Sequence, residues 1–319
     1  MLKAGAAAGA VAAGGLLGPA PLQAAAKMKG GQVPGYYRFM LGDFEVTVLS
    51  DGAYTLPTSL LGTNVPRETV TAYLKANLLD TEERVSHVNI PLINTGEELV
   101  LVDVGGGENW MPTAGKLADN MRASGYEPEQ VDTVVLTHGH PDHLWGLIDE
   151  FEEAPRFPNA DYVIAANEWD FWTTDKAMTT LPEMFQGFAI GARKHLPPVA
   201  EKTRRIEPGG EIVPGIMTVD TPGHTFGHMS LAVTSKGETL LVTSDAVTHP
   251  YISFEHPGWW PRTDLDSAMA EKSRRKLLDM AATDGHLALV YHVSFPGLGR
   301  VAPKGAAYRW VPETWQWEL

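Results

Sequence analysis

Thr137-His138-Gly139-His140-Pro141-Asp142-His143 sets three imidazoles and one carboxylate side by side. It follows directly on an apolar run over 131–136, which reads as a buried strand. The cluster therefore belongs on a loop at a strand end. Imidazole is the commonest protein metal ligand, and a mixed histidine and carboxylate set suits zinc and its first-row neighbours. Four such groups are costly to crowd together without a cation to hold them, which argues against a chance gathering of solvated histidines.

Working outward, residues of the same kind recur at three further strand ends. These are Thr221-Pro222-Gly223-His224-Thr225-Phe226-Gly227-His228, then Thr243-Ser244-Asp245, then Tyr291-His292. Ligands carried on loops at one edge of packed sheets converge while the strands hold them rigidly. The candidates outnumber what one tetrahedral zinc uses. Two cations sharing Asp245 would use them all and leave room for a bridging water or hydroxide. Cysteine is absent, so disulfides and thiolate sites are excluded and any metal depends on His, Asp and Glu.

The 319 residues are 44% hydrophobic and 20% charged, enough for one large domain or two smaller ones. Formal net charge is -14 with no basic run to offset it, which excludes a nucleic-acid partner. No stretch beyond the N-terminus is apolar for long enough to span a membrane. At the N-terminus, Lys3 precedes a small-residue stretch over 4–17, and Ala24-Ala25-Ala26 offers an A-x-A cleavage site. Residues 1–26 are thus expected to be a secretory leader, resembling a twin-arginine leader without its arginines, and 27–319 the mature domain. The expected location is periplasmic or secreted, or cytoplasmic if the segment is not cleaved.

Alternation predicts a hairpin over 36–49 turning at Gly42-Asp43 and a second over 88–102 turning at Thr95-Gly96-Glu97. Helical spacing predicts helices over 67–79 and 111–124, the latter ending at Gly125, with another opening at His143-Leu144-Trp145. A strand follows over 160–165. Mixed Met, Phe, Gly and Pro content over 174–198 suggests an irregular insertion or lid. Strands are expected over 216–221, 229–234, 239–243 and 287–291, and a long helix over 265–282 with Asp264 or Asp266 as N-cap. Strands then helix, twice over, is the pattern of an α/β (α+β) chain folded as a four-layer αββα sandwich.

With these motifs assembled, the chain resembles the metallo-β-lactamase superfamily. His138-x-His140-x-Asp142-His143, the Thr-Pro-Gly-His224 turn, Asp245 and His292 stand in that family's order, with Asp103 at its early strand end. Within it the chain is similar to the methyl parathion hydrolase-like branch, through Pro34-Gly35-Tyr36-Tyr37-Arg38, Leu41-Gly42-Asp43-Phe44-Glu45, the segment Gly125-Tyr126-Glu127-Pro128 with its continuation to Asp132, Phe295-Pro296-Gly297-Leu298-Gly299 and Tyr308-Arg309-Trp310-Val311-Pro312. The resemblance implies that His138, His140 and His224 hold one metal ion, that Asp142, His143 and His292 hold the other, and that Asp245 bridges them. It makes Asp103 a residue that orients the metal loop, and His228 a support for the turn.

The implied activity is that of a binuclear hydrolase, with a metal-bound hydroxide attacking a carbonyl carbon or a phosphorus centre. Asp142 and Asp245 are its catalytic carboxylates, Asp142 passing a proton to the leaving group. Two divalent ions are expected, Zn first, with Mn, Co or Fe also compatible. His249, Tyr251, Phe254, Trp259, Trp260 and Phe295 are candidates for an apolar substrate pocket, although packing over the sandwich edge would explain them equally. The expected substrate is a small molecule, a hydrophobic carboxylic ester or lactone. Alternatives are an organophosphate triester, a β-lactam, a glyoxalase II-like thioester, or a metal-stabilised binding protein without catalysis. A persulfide dioxygenase would lack ligands that are present here. The sequence leaves room for a homodimer.

Overall fold

Apolar side chains alternating along extended segments build two sheets. The computed structural model describes residues 35–319; the leader expected over 1–26 lies outside them. The first half supplies β1 (Tyr36–Leu41), β2 (Phe44–Pro57), β3 (Glu83–Asn94), β4 (Leu99–Val102), β5 (Thr133–Leu136), a small hairpin of β6 (Ile148–Asp149) and β7 (Ala154–Pro155), then β8 (Asp161–Ala165) and β9 (Thr203–Ile206). Apart from the small hairpin these form a seven-stranded sheet in the order β1-β2-β3-β4-β5-β8-β9. The second half supplies β10 (Glu211–Val213), β11 (Ile216–Asp220), β12 (Met229–Ser235), β13 (Glu238–Val242), β14 (Leu287–Leu289), β15 (Leu298–Lys304) and β16 (Ala307–Pro312), paired in sequence order. The helices are α1 (Arg67–Ala76), α2 (Leu117–Ala123), α3 (Pro141–Leu144), α4 (Ala166–Thr173), α5 (Asp175–Thr180), α6 (Gln186–His195), α7 (Ile252–Glu255) and α8 (Ser267–Asp284).

The period of two decides the layers. In β5, Val134 and Leu136 join a core shared with Leu117 and Met121 of α2, Trp169 of α4 and Ala192 of α6, while Val135 turns to the other face. There it meets Met229, Leu231 and Val233 of β12 and Leu240 and Val242 of β13. Leu241 points away again, onto Leu277, Leu278 and Ala281 of α8. The central strands are covered on both faces and therefore read as unbroken apolar runs. Helices, sheet, sheet and helices follow in that order, the four-layer αββα arrangement.

Two parallel pairs position the site. β4 runs parallel to β5, and β13 to β14, so the residues that follow each pair emerge together at one edge. Asp103 and the 137–143 loop leave the first pair there; Asp245 and His292 leave the second.

Several expectations are corrected. The helix predicted over 111–124 is only Leu117–Ala123, because Gly115 takes a φ of +76° that ends helical continuity. The loop before it is tied instead to the buried Asp51 carboxylate, which accepts from the N–H groups of Gly106 (2.9 Å), Gly115 (3.2 Å) and Leu117 (2.8 Å). Residues 174–198 are not irregular but hold α5 and α6. Glycine at 191 hides the helical signal, yet a Cβ there would come within 2.2 Å of the Trp145 ring. The helix expected to open at His143 opens at Pro141, whose fixed φ suits a first helical turn. Of the two N-cap candidates, Asp266 accepts from Met269 N at 2.9 Å.

Candidate metal centre

Beyond β5 the chain is held by a carboxylate. Asp103, itself at φ +65°, accepts from Thr137 N at 2.7 Å and Thr137 Oγ1 at 2.8 Å. Its Oδ2 also faces His143 Nδ1 at 2.8 Å. That contact assigns the His143 proton to Nδ1 and leaves Nε2 as the free lone pair. Gly139 N donates to Glu168 Oε1 at 2.9 Å, and a Cβ on Gly139 would lie 2.3 Å from the Trp172 indole nitrogen. Glycine is required between the two histidines for that reason.

The second half is held in the same way. His224 Nδ1 meets Asp264 Oδ1 at 2.9 Å, and Asp264 Oδ2 accepts from Arg274 Nη2 at 3.0 Å, all three side chains being buried. Glu168 reappears: its Oε2 accepts from Gly227 N at 2.8 Å. One buried carboxylate thereby ties the 137–143 loop to the 221–228 turn, steadied by Trp172 Nε1 at 2.6 Å. His292 Nδ1 donates to the His87 carbonyl at 2.7 Å, leaving its Nε2 free. His228 is engaged at both nitrogens, Nε2 accepting from Asp245 N at 3.1 Å and Nδ1 donating to Thr221 O at 3.0 Å. It holds the Asp245 backbone and offers no lone pair to a cation.

The free atoms converge. Ligand atoms of His138, His140, His224 and Asp245 lie within 4.8 Å of one another, as do those of Asp142, His143 and His292. His140 Nδ1 is 3.1 Å from His138 Nε2 and 2.9 Å from His224 Nε2. Asp245 faces both groups, Oδ2 at 3.2 Å from His224 Nε2 and Oδ1 at 3.2 Å from His143 Nε2 and 3.1 Å from His292 Nε2. Asp142 Oδ2 is 3.4 Å from the Nε2 atoms of His143 and His292.

Two of these atoms, His143 Nε2 and Asp245 Oδ1, are buried without a hydrogen-bond partner among the described residues. Facing lone pairs at such distances repel unless a cation or proton lies between them, so the donor set fits two divalent ions. Burial, reinforced by neighbouring imidazoles, holds His138 and His140 well below the usual histidine pKa, so both are neutral ligands at pH 7. Burial opposes ionisation of Asp142, but His143 and His292 outweigh it and keep the carboxyl below its ordinary range. His143 is raised despite burial by Asp142, Asp245 and Asp103, which favour a positive charge at its Nε2, supplied by a proton or, in its place, by a bound cation.

Most of the aromatic stretch expected to line a pocket is committed elsewhere. Phe254 is wholly buried beneath α8 against Trp310 at 5.3 Å and cannot meet a substrate. Trp259 stacks on His256 at 3.9 Å and packs in the α1 cluster; Trp260 Nε1 donates to Glu271 at 2.9 Å; Phe295 packs between the sheets. His249 is buried and caps its own turn, Nδ1 accepting from Tyr251 N and Ile252 N, while Tyr251 is 39% exposed. Nearness in sequence to Asp245 misleads here because the chain turns from the site toward α1 and α8.

The rings that do surround the ligands come from other elements. Tyr54 of β2 lies 6.0 Å from His292, Trp110 6.0 Å from Tyr54, Phe188 of α6 5.6 Å from Trp110, and His140 5.5 Å from Phe188. This arc runs from one ligand group to the other. Tyr54 donates to Asp142 Oδ2 at 2.7 Å, and burial, followed by the charges of Asp142 and Asp245, pushes its phenol pKa well up. Sequence reasoning missed all three rings. The mixed aromatic content of 174–198 was the one available signal, for Phe188.

Comparison with known proteins follows this geometry. A model of the Metallo-beta-lactamase superfamily matches residues 84–292. An N-acyl homoserine lactonase of Bacillus sp is 27% identical over 178 residues, 56% of this chain and 62% of that protein. The N-acyl homoserine lactonase AttM of Rhizobium radiobacter is 29% identical over 135 residues, 40% of this chain and 46% of that protein. The chain thus spans less than two thirds of the length of these curated relatives. Among solved structures, AidC, a dizinc quorum-quenching lactonase in complex with a product N-hexanoyl-L-homoserine, superposes with TM-score 0.82 at 26% identity, covering 88% of this chain and 98% of that one. The hydrolase AbOPH, in the beta lactamase superfamily, gives TM-score 0.81 at 30% identity over 90% of this chain and 100% of that one.

Proposed function

The chain belongs to the metallo-beta-lactamase superfamily, and from that premise we propose that it is a binuclear metal-dependent lactonase, opening a lactone to its hydroxy acid. The observation that carries the reading is the convergence of buried His and Asp ligand atoms in two groups facing one shared carboxylate. Relatives named as lactonases favour a lactone over the other esters.

In this reading His138, His140 and His224 hold one ion, Asp142, His143 and His292 the other, and Asp245 lies between. Bound there, two divalent ions, zinc foremost, supply Lewis acidity and lower the pKa of a water to roughly 7. The chain's own residues do the rest. Water adds to the ring carbonyl, the ring C–O bond breaks, and the alkoxide released must gain a proton. Asp142, ionised at neutral pH, is placed to take the proton from water and hand it on. Tyr54 keeps its phenolic proton and directs it at Asp142 Oδ2, fixing which oxygen is free for that transfer. The arc of Tyr54, Trp110 and Phe188 excludes bulk water and offers an apolar surface to an acyl chain.

The test is metal analysis combined with a lactone-opening assay on the metal-replete protein. About two ions per chain and hydrolysis of N-acyl homoserine lactones are expected. Metal-free protein after growth with zinc, or lactone opening that survives His138→Ala undiminished, defeats the reading. Cleavage after residue 26 and export to the periplasm belong to the same proposal and are checked by N-terminal sequencing of the exported protein. A single catalytic domain over 27–319 that pairs as a homodimer is checked by sedimentation.

A further inference from the structure

The ligand cluster is braced from outside almost throughout, but the strand face beside it is not. In the β2–β3 register Tyr54 opposes Ser86 and Leu56 opposes Arg84, so Tyr54, Ser86 and Arg84 share one face. Tyr54 is occupied with Asp142. Arg84 donates from Nη1 to the Thr248 carbonyl at 2.8 Å, while its Nε is buried with no partner among the described residues. The Ser86 hydroxyl is buried and equally unmet, and so is the indole N–H of Trp110, whose ring lies against Tyr54.

Buried polar groups are normally paired, and several unmet together call for an explanation. Guanidinium and indole nitrogens can only donate, and a serine hydroxyl can. What they lack in common is an acceptor oxygen. The guanidinium remains charged even where burial pulls its pKa down, since it starts so high.

We propose that Arg84 is a substrate-binding residue that takes the amide carbonyl oxygen of an N-acylated lactone, so that the enzyme selects lactones carrying such an acceptor beside the scissile ester. The inference builds on the lactonase reading and assigns the residue that recognises the acyl amide of its substrate. In that reading the scissile carbonyl sits beside Asp142 and Asp245, whose charges act on Arg84 and so place it within reach of the same substrate. A bare alkyl lactone has no further carbonyl to give, and leaves Arg84 Nε unpaired in the complex. An N-acyl lactone supplies one atom chain away from the ring, alongside the apolar tail that suits Trp110 and Phe188.

The experiment compares the holoenzyme with Arg84→Met and Arg84→Lys on N-hexanoyl homoserine lactone and on γ-decalactone, reading kcat and KM separately. Arg84→Met is expected to lower the ratio of kcat/KM, N-acyl over alkyl lactone, by about tenfold or more, mostly through KM, the usual worth of a hydrogen bond to a charged group. Arg84→Lys restores part of it. Calorimetric binding of the ring-opened N-hexanoyl homoserine to the same proteins is expected to weaken in parallel. An unchanged ratio, whether both substrates suffer or neither does, overturns the inference while leaving the lactonase reading intact; equal loss on both would instead place Arg84 at the ester or the released carboxylate. A wild type that opens neither lactone sinks the lactonase reading and this inference with it.

Discussion

The ligand loops and the β2–β3 face lie side by side and are built on opposite terms. In the loops, the side of each ligand turned away from the cluster has a buried partner: Asp103 behind His143, Asp264 behind His224, Glu168 behind the backbone on both sides, and His228 behind Asp245. On the strand face, Arg84 Nε and Ser86 Oγ have none, and neither does Nε1 of Trp110, which reaches Tyr54 from the loop after β4. The difference separates two tasks. Geometry that must not vary is fixed by completed hydrogen-bond networks, and recognition is left to groups whose partner arrives with the ligand.

That contrast can be broken at its strongest point first. His138→Ala is expected to remove one ion and cut lactone opening by about a thousandfold or more; retention of both ions and of activity would mean the loops do not hold the metal. Next, Glu168→Ala deprives Gly139, Gly227 and Trp172 of their acceptor. Metal affinity should fall about ten- to a hundredfold and stability by about 2–4 kcal/mol, read by competition with a chelator and by urea unfolding. A loss of stability without a loss of affinity would show that Glu168 braces the core alone.

His249 sharpens the contrast from the strand side, where it is the satisfied neighbour of Arg84. Burial, with Arg84 adding to it, lowers its pKa from 6.5 to about 3, and its Nδ1 must stay unprotonated to accept two backbone N–H groups. Its contribution is therefore present above pH 6.5 and lost as pH falls toward 3, with a slope of up to about 1.4 kcal/mol per pH unit. His249→Asn, which keeps an acceptor without the titration, should remove roughly one proton's worth of that slope in urea unfolding followed from pH 7 to 4. An unchanged slope would disprove it. The smallest effect is Ser86→Ala: deleting an unmet hydroxyl should leave the stability of the substrate-free protein within about 1 kcal/mol or raise it. A clear loss on thermal unfolding would reveal a partner for Ser86 and weaken the contrast.

The parts legible in the sequence share one property, that local pattern and tertiary role coincide. The Thr137–His143 cluster follows its strand directly, and the apolar runs of β4, β5 and β13 are continuous because both faces are covered. The outer partners were less legible. Asp264 reads as a helix cap and Glu168 as an ordinary helix residue, because their roles depend on chain 40 and 29 residues away in sequence. The rings around the ligands were hidden for a related reason. Aromatic density after Asp245 is conspicuous but serves the α1 and α8 packing, whereas Tyr54, Trp110 and Phe188 are isolated in sequence and meet only after the sheet and α6 are assembled.

The division of ligands between the halves has a consequence for the protein in the cell. Four come from the loop after β5 and three from turns after β11, β13 and β14, so each ion needs both halves in place, and an unfolded chain, which keeps only the local 138–143 cluster, binds it more weakly. Each bound ion then adds RT ln(1 + [metal]/Kd) to the free energy of unfolding. Scarcity of metal would do more than idle the enzyme: it would shorten the survival of the folded chain against proteolysis, so that abundance as well as turnover would follow the metal supply.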